Sequence, residues 1–120
     1  MENAYPPYFV IQNPVDLTGS ATARDYEAGL TVLLADDNVD IVMPWFVFQD
    51  APLGEEIVSI LRALSIKHRK PILCGAMGGN YTERISQQIE AIGVPVFHSV
   101  REWLSAAAGI SKAYLQHWIE

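Results

Sequence analysis

Asn13-Pro-Val-Asp-Leu-Thr-Gly-Ser-Ala21 joins a short apolar run, Tyr8 to Gln12, to a stretch of helical periodicity that opens at Thr22. Proline, aspartate, threonine, serine and glycine are turn formers. Thr22-Ala-Arg-Asp25 sets a hydroxyl and a carboxylate three positions apart, the spacing of a capping box with Thr22 as N-cap. The stretch therefore reads as the turn of a βα unit, lying at a strand's carboxyl end and facing a helix N-terminus. Open parallel sheets hold their ligands at that place. The same residues also make a self-capped turn with no ligand, and from the motif alone both readings stand.

Outward from this turn, short β-rich runs alternate with longer stretches of helical spacing, the pattern of consecutive βα units around a parallel sheet. Four units are expected. The first pairs strand Tyr8–Gln12 with a helix over Ala23–Ala35 that turns Tyr26, Leu30, Leu33 and Leu34 to one face. The second strand, Asp40–Phe48, is almost continuously apolar, as suits a strand covered on both sides. Its interior Pro44 donates no ladder hydrogen bond, so bulging or shortening is expected there. Pro52 precedes a helix marked by Ile57, Ile60, Leu61 and Leu64. The third strand, Pro71–Gly75, leads through Gly78-Gly79 to Asn80-Tyr-Thr-Glu83, a second capping-box-like start, and to a helix that stops before Gly93. The fourth strand, Val94–His98, precedes a last helix expected to turn Val100, Trp103, Leu104, Ala107, Tyr114, Leu115 and Trp118 inward, with Gly109 a weak point. The expected fold is α/β: one domain over residues 1–120, a three-layer parallel sheet of about four strands with helices on both faces. Right-handed crossovers would put every strand-to-helix loop on one edge.

Three of those loops could carry chemistry. Asn13, Asp16, Thr18 and Ser20 offer acceptors and hydroxyls, and the amides from Gly19 onward lie at a helix N-terminus, which favours an anion. Gly75-Ala-Met-Gly-Gly79 is permissive enough for backbone amides to approach a phosphate, although it is neither GxGxxG nor a P-loop. Phe48-Gln-Asp-Ala51 follows a buried strand with one amide and one acid. Each loop is also an ordinary βα turn. Of the histidines, His68 lies in a basic helix end, Lys67 to Lys70, that complements the dipole and suits a solvated face. His117 falls on an exposed face near the terminus, and only His98 ends a strand at the ligand edge. Asp36-Asp37 and Met43-Pro44 superficially suggest a phospho-receiver, but they are separated by only one strand's opening and fit a helix-to-strand turn.

With 120 residues, half of them hydrophobic, the chain is large enough for one core. A net charge of −6 speaks against nucleic-acid or anionic-membrane surfaces. The single cysteine, Cys74, sits in an apolar run and cannot form an internal disulfide, which points to a reducing, cytoplasmic setting. No Cys/His spacing suggests a metal site, and no apolar run is long enough to span a bilayer.

Asn13–Ala21, Leu33–Met43, Lys70–Asn80 and Ile92–Tyr114 together, in this order, resemble the flavodoxin-like CoA-ligase domain of the NDP-forming acyl-CoA synthetases, a family that includes the ADP-forming acetyl-CoA synthetases and succinyl-CoA synthetase. The resemblance covers nearly the whole chain. It implies a part of an acid-thiol ligase that reversibly converts acyl-CoA, ADP and phosphate to a carboxylic acid, ATP and CoA. It also implies that Asn13, Asp16, Thr18, Gly19, Gln49, Asp50, Ala51, Gly78 and Gly79 bind substrate or phosphate. Gln49-Asp50-Ala51 lacks the glycines of the family loop, and Asp50 opposes a carboxylate substrate. No catalytic or metal-ligating residue is expected in this chain. CoA, ATP or ADP, and Mg²⁺ would be bound by the complete enzyme, with none held by this chain alone. The implied partners are the CoA-binding and phosphohistidine domains and an ATP-grasp domain. The Gly/His/Ala-rich phosphohistidine motif and the opening Thr-Asn-Gly-Gly βα unit are not found, so the expectation is a partial domain, inactive by itself. With the central strand of that opening unit missing, a further expectation is that either Tyr8–Gln12 pairs directly with Asp40–Phe48 or a second copy fills the exposed strand edge and makes a homodimer. Alternative readings are a non-catalytic interaction module with a flavodoxin-like fold, or a small-ligand binder of the same fold.

Overall fold

A computed structural model describes residues 21–48 and 54–119, with side chains to residue 113. The first strand, most of the opening loop, Gln49-Asp50-Ala51, Pro52 and the side chains of Tyr114, Leu115, His117 and Trp118 lie outside the described residues.

The first helix, α1, occupies Ala23–Ala35. Thr22 caps it in both directions: the Asp25 amide donates to the Thr22 hydroxyl at 3.2 Å, and the Thr22 amide donates to the Asp25 carboxylate at 2.8 Å. Leu30 and Leu34 are buried, with Tyr26 and Leu33 packed against the same core, as the periodicity predicts. Asp36 closes the helix, and its carboxylate accepts from the Asn38 amide, confirming a turn at Asp36-Asp37.

Three parallel strands follow: β1 (Trp45–Phe46), β2 (Cys74–Ala76) and β3 (Val96–Phe97), in the order β1-β2-β3. All are shorter than their apolar runs suggest. Pro44, Pro71 and Pro95 donate nothing to the ladder, which removes the bonds that would lengthen it. Their carbonyls still take part: Pro44 accepts from Gly75, Pro71 from Val42 and Pro95 from Cys74. The second run is interrupted at Met43-Pro44, with a lone bridge between Val42 and Ile72 before pairing resumes at Trp45.

Helices α2 (Glu56–Lys67) and α3 (Asn80–Ala91) join α1 side by side on one face of the sheet. Ile57, Leu61, Leu64, Ile85 and Ile89 meet Val42, Phe46, Ile72, Cys74 and Val96 there, forming the core. Phe46 stacks on Phe48 at 5.2 Å and meets Tyr26 at 4.9 Å. Burying each such side chain contributes about 1.5–3 kcal/mol. Gly93, at φ +92°, ends the turn after α3 in a conformation that other residues resist. The expected cap at Asn80 is displaced by one residue. Gly79 is the N-cap, its carbonyl accepting from Glu83, and no side chain caps the helix.

Helix α4 (Val100–Ile119) covers the other face, against β2 and β3, and runs through Gly109 without a break. Trp103 anchors it. The indole N–H donates to the Leu73 carbonyl at 2.7 Å, and the ring lies 5.0 Å from that of Trp45. This anchor sets the helix rotation, so Val100 and Leu104 are 49% and 54% exposed and do not point inward as their spacing suggests. Trp103 and Ala107 are half-buried. Gly75 permits the arrangement, because a Cβ there would lie 2.1 Å from the Trp45 ring.

Candidate functional site

The parallel sheet aims the carboxyl ends of its strands at one edge, and the loops described there come together by geometry. After β2, Ala76 gives way to Met77, Gly78 and Gly79, all three exposed, and the chain enters α3 directly. An uncapped helix start leaves first-turn amides without intrahelical partners and carries the positive end of the helix dipole. At Gly79 an added Cβ would meet nothing within 4 Å, so no packing demand accounts for glycine at that position. Together these features favour an anion at the start of α3.

After β3 comes His98, whose Nδ1 lies 2.8 Å from the Ala76 carbonyl. A carbonyl only accepts, so Nδ1 carries the hydrogen and Nε2 is left as the neutral ring's acceptor. This bond ties the loop after β3 to the end of β2. Ser99 then caps α4, accepting from the Glu102 amide at 3.1 Å.

The start of α2 reaches the same edge. Tyr81, in the first turn of α3, sets its hydroxyl 3.8 Å from where a Cβ on Gly54 would stand. Arg84 lies over the Tyr81 ring at 5.8 Å, which places a cation near the same helix start. Neither Tyr81 nor Arg84 is marked by a motif; only their placement in the turn after Gly79 could have indicated them.

Of the site residues expected from sequence, Gly78 and Gly79 are placed at this edge. Asn13, Asp16, Thr18, Gly19, Gln49, Asp50 and Ala51 lie outside the described residues. Among the described residues no group of His, Cys, Asp and Glu is arranged to hold a metal ion, and no helix is long and apolar enough to cross a membrane. Cys74 is fully buried in β2, and burial raises its thiol well above the ordinary range, so it is no nucleophile here. His68 departs from the solvated face expected of it. The residue is half-buried, and its Nε2 is shielded from solvent without a hydrogen-bond partner.

No protein-family profile matches the chain. It is 32% identical over 106 residues to the alpha subunit of an ADP-forming acetate–CoA ligase II of Pyrococcus furiosus, covering 85% of this chain and 23% of that protein. To an ADP-forming acetate–CoA ligase I of Archaeoglobus fulgidus it is 31% identical over 85 residues, 71% of this chain and 12% of the other. A crystal structure from Pyrococcus horikoshii OT3 superposes with a TM-score of 0.79 at 31% identity, over 88% of this chain and 25% of that one. A dinucleotide-forming acetyl-coenzyme A synthetase 1 of Ca. Korarchaeum cryptofilum shares the fold, with a TM-score of 0.72 at 19% identity over 82% of this chain and 22% of that one. The chain thus spans about a quarter or less of the length of these relatives. Its sequence is homologous to one part of the ADP-forming acetyl-CoA synthetases, and its parallel α/β fold is consistent with a partial, flavodoxin-like CoA-ligase domain of these NDP-forming enzymes.

Proposed function

We propose that the chain acts within an ADP-forming acyl-CoA synthetase, where its carboxyl-edge loops form part of the site for substrate and phosphoryl transfer. The observation that carries this reading is the 32% identity over 85% of the chain to an ADP-forming acetate–CoA ligase subunit. The exposed Gly78-Gly79 turn before an uncapped α3 supports it chemically, since it offers backbone donors to a phosphoryl group. Asn13, Asp16, Thr18 and Gly19 serve the same site from the first loop, and Gln49, Asp50 and Ala51 flank it from the loop after β1. CoA, ADP or ATP, and Mg²⁺ are held by the complete enzyme. The partners are its CoA-binding and phosphohistidine domains and its ATP-grasp domain, which supply the nucleophile and nucleotide site that a covalent phosphoryl relay requires. The cytoplasm is the setting for this chemistry.

Two measurements test the proposal. Given acyl-CoA, ADP, Mg²⁺ and phosphate, the purified chain should release no ATP; robust turnover that survives contaminant controls overturns the assignment to one part of a larger enzyme. In the complete enzyme, Asp16→Ala and Thr18→Ala should lower kcat/KM with little change in melting temperature. A self-capped turn gives the opposite pattern, a loss of about 0.5–2 kcal/mol in stability with normal kinetics.

A further inference from the structure

A crevice of about 510 Å³ opens on the opposite edge of the sheet, where the strands begin. Ile72, Leu73, Val94 and Ile110 give it an apolar lining, and its size lies within the range of small-molecule sites. Pro71 and Pro95 also line it, and neither has an N–H to offer. Their carbonyls are already engaged by Val42 and Cys74. The Ser65 hydroxyl donates to the Arg62 carbonyl. The remaining polar character comes from His68, Arg69 and Lys70, and among the described residues no acidic side chain lines the space.

Basic residues at a helix end complement its dipole, which accounts for Lys67 and His68, the last residue of α2 and its C-cap. Arg69 and Lys70 lie beyond that cap. Lys70 donates to the Asp36 carbonyl. Arg69 is exposed, with no hydrogen bond or ion pair among the described residues. The neighbouring His68 ring adds a second unmet demand, its shielded and partnerless Nε2. An apolar pocket rimmed by cationic donors, in a chain of net charge −6, matches a particular ligand chemistry.

We infer that this crevice binds a small organic anion, its carboxylate or phosphate at Arg69 and its apolar body against Ile72, Val94 and Ile110. The ligand gives Arg69 a charge-assisted partner. The site lies across the sheet from the carboxyl-edge loops and does not depend on their role.

The test uses hexanoate as probe and hexan-1-ol as its uncharged counterpart, each titrated into the ¹⁵N-labelled chain and followed by amide shifts. Hexanoate should give saturable shifts confined to residues 68–73 and 93–95. Hexan-1-ol should bind roughly tenfold more weakly, and Arg69→Gln should weaken hexanoate by about the same factor, as expected for one charge-assisted hydrogen bond. Ile110→Trp, which fills the crevice without altering its charge, should abolish the shifts. Absence of saturable shifts, equal binding of the alcohol, or unchanged affinity in Arg69→Gln overturns the inference. Arg69→Gln alters only an exposed side chain, so it decides the matter even where Ile110→Trp fails to fold.

Discussion

Cys74 and Gly75 are adjacent in β2 and face opposite layers, so each is constrained by a different neighbourhood. The Cys74 thiol sits in the core between the sheet and α1–α3, where burial raises its pKa above the ordinary value of 9.0. A raised folded pKa contributes stability that is complete below the unfolded value and is lost as pH rises. Above about pH 9 the unfolded chain releases this proton while the folded chain keeps it, a slope of about −1.4 kcal/mol per pH unit for this group. Comparing denaturation midpoints of the native chain and Cys74→Ala at pH 7 and pH 10 should show the native chain losing more. An equal loss in both would place the thiol in a solvated setting. Gly75 has the reverse problem, since the Trp45 ring occupies the space a side chain would take. Gly75→Ala should destabilise by about 1–3 kcal/mol through displacement of that ring. Urea unfolding and a change in tryptophan fluorescence would register it, and an unchanged midpoint would contradict the packing.

Among the helices, α1 and α3 solve the same problem differently. At α1 the reciprocal Thr22–Asp25 bonds satisfy two orphan donors, which ties its start to local chemistry. At α3 the N-cap is Gly79, with no side-chain acceptor, although Asn80 stands one position further on. Gly79 has φ −89° and ψ −152°, a conformation open to any residue. Gly79→Asp should therefore supply the missing cap and stabilise the chain by a few tenths of a kcal/mol, with no steric cost. If the bare helix start receives a phosphoryl group, the same change places a carboxylate in that position and should lower activity of the complete enzyme. A variant that melts higher and works normally would assign the glycine turn to structure alone. Helix α4 illustrates a third case, in which one aromatic anchor outweighs apolar periodicity. Trp103 gains a buried hydrogen bond and a ring contact, and Val100 and Leu104 remain at the surface.

For the molecule as a whole, the distribution of layers has consequences for assembly. Three helices cover one face of the described sheet, and one helix covers β2 and β3 on the other. On β1, at one end of the described strand order, Val47 is 40% exposed just beyond Trp45–Phe46. Among the described residues no strand pairs with the outer edge of β1, and of the two expected occupants, Tyr8–Gln12 or a second copy, we propose the second copy. Sedimentation equilibrium at high micromolar concentration should then show a dimer, and a strictly monomeric species rules it out. The stretch shared with the relatives is a quarter or less of their length.

Local chemistry determined much of this protein. The Thr22 capping box, the limits of α1, the halt of α3 before Gly93 and the alternation of the three described strands with helices were legible because each depends on residues only three or four positions apart. The exposed turn at Gly78 and Gly79 between β2 and α3 was legible for the same reason. Tertiary structure decided what depends on distant partners. Strand ends followed the hydrogen bonds that Pro44, Pro71 and Pro95 could not donate, and these are set by neighbouring strands. The rotation of α4 followed Trp103 finding Leu73 and Trp45. The His98 tautomer followed from the Ala76 carbonyl, 22 positions away. The burial of His68 and the crevice beside it arose only when the end of α2, the starts of the strands and α4 were brought together, because a cavity belongs to no single segment of chain.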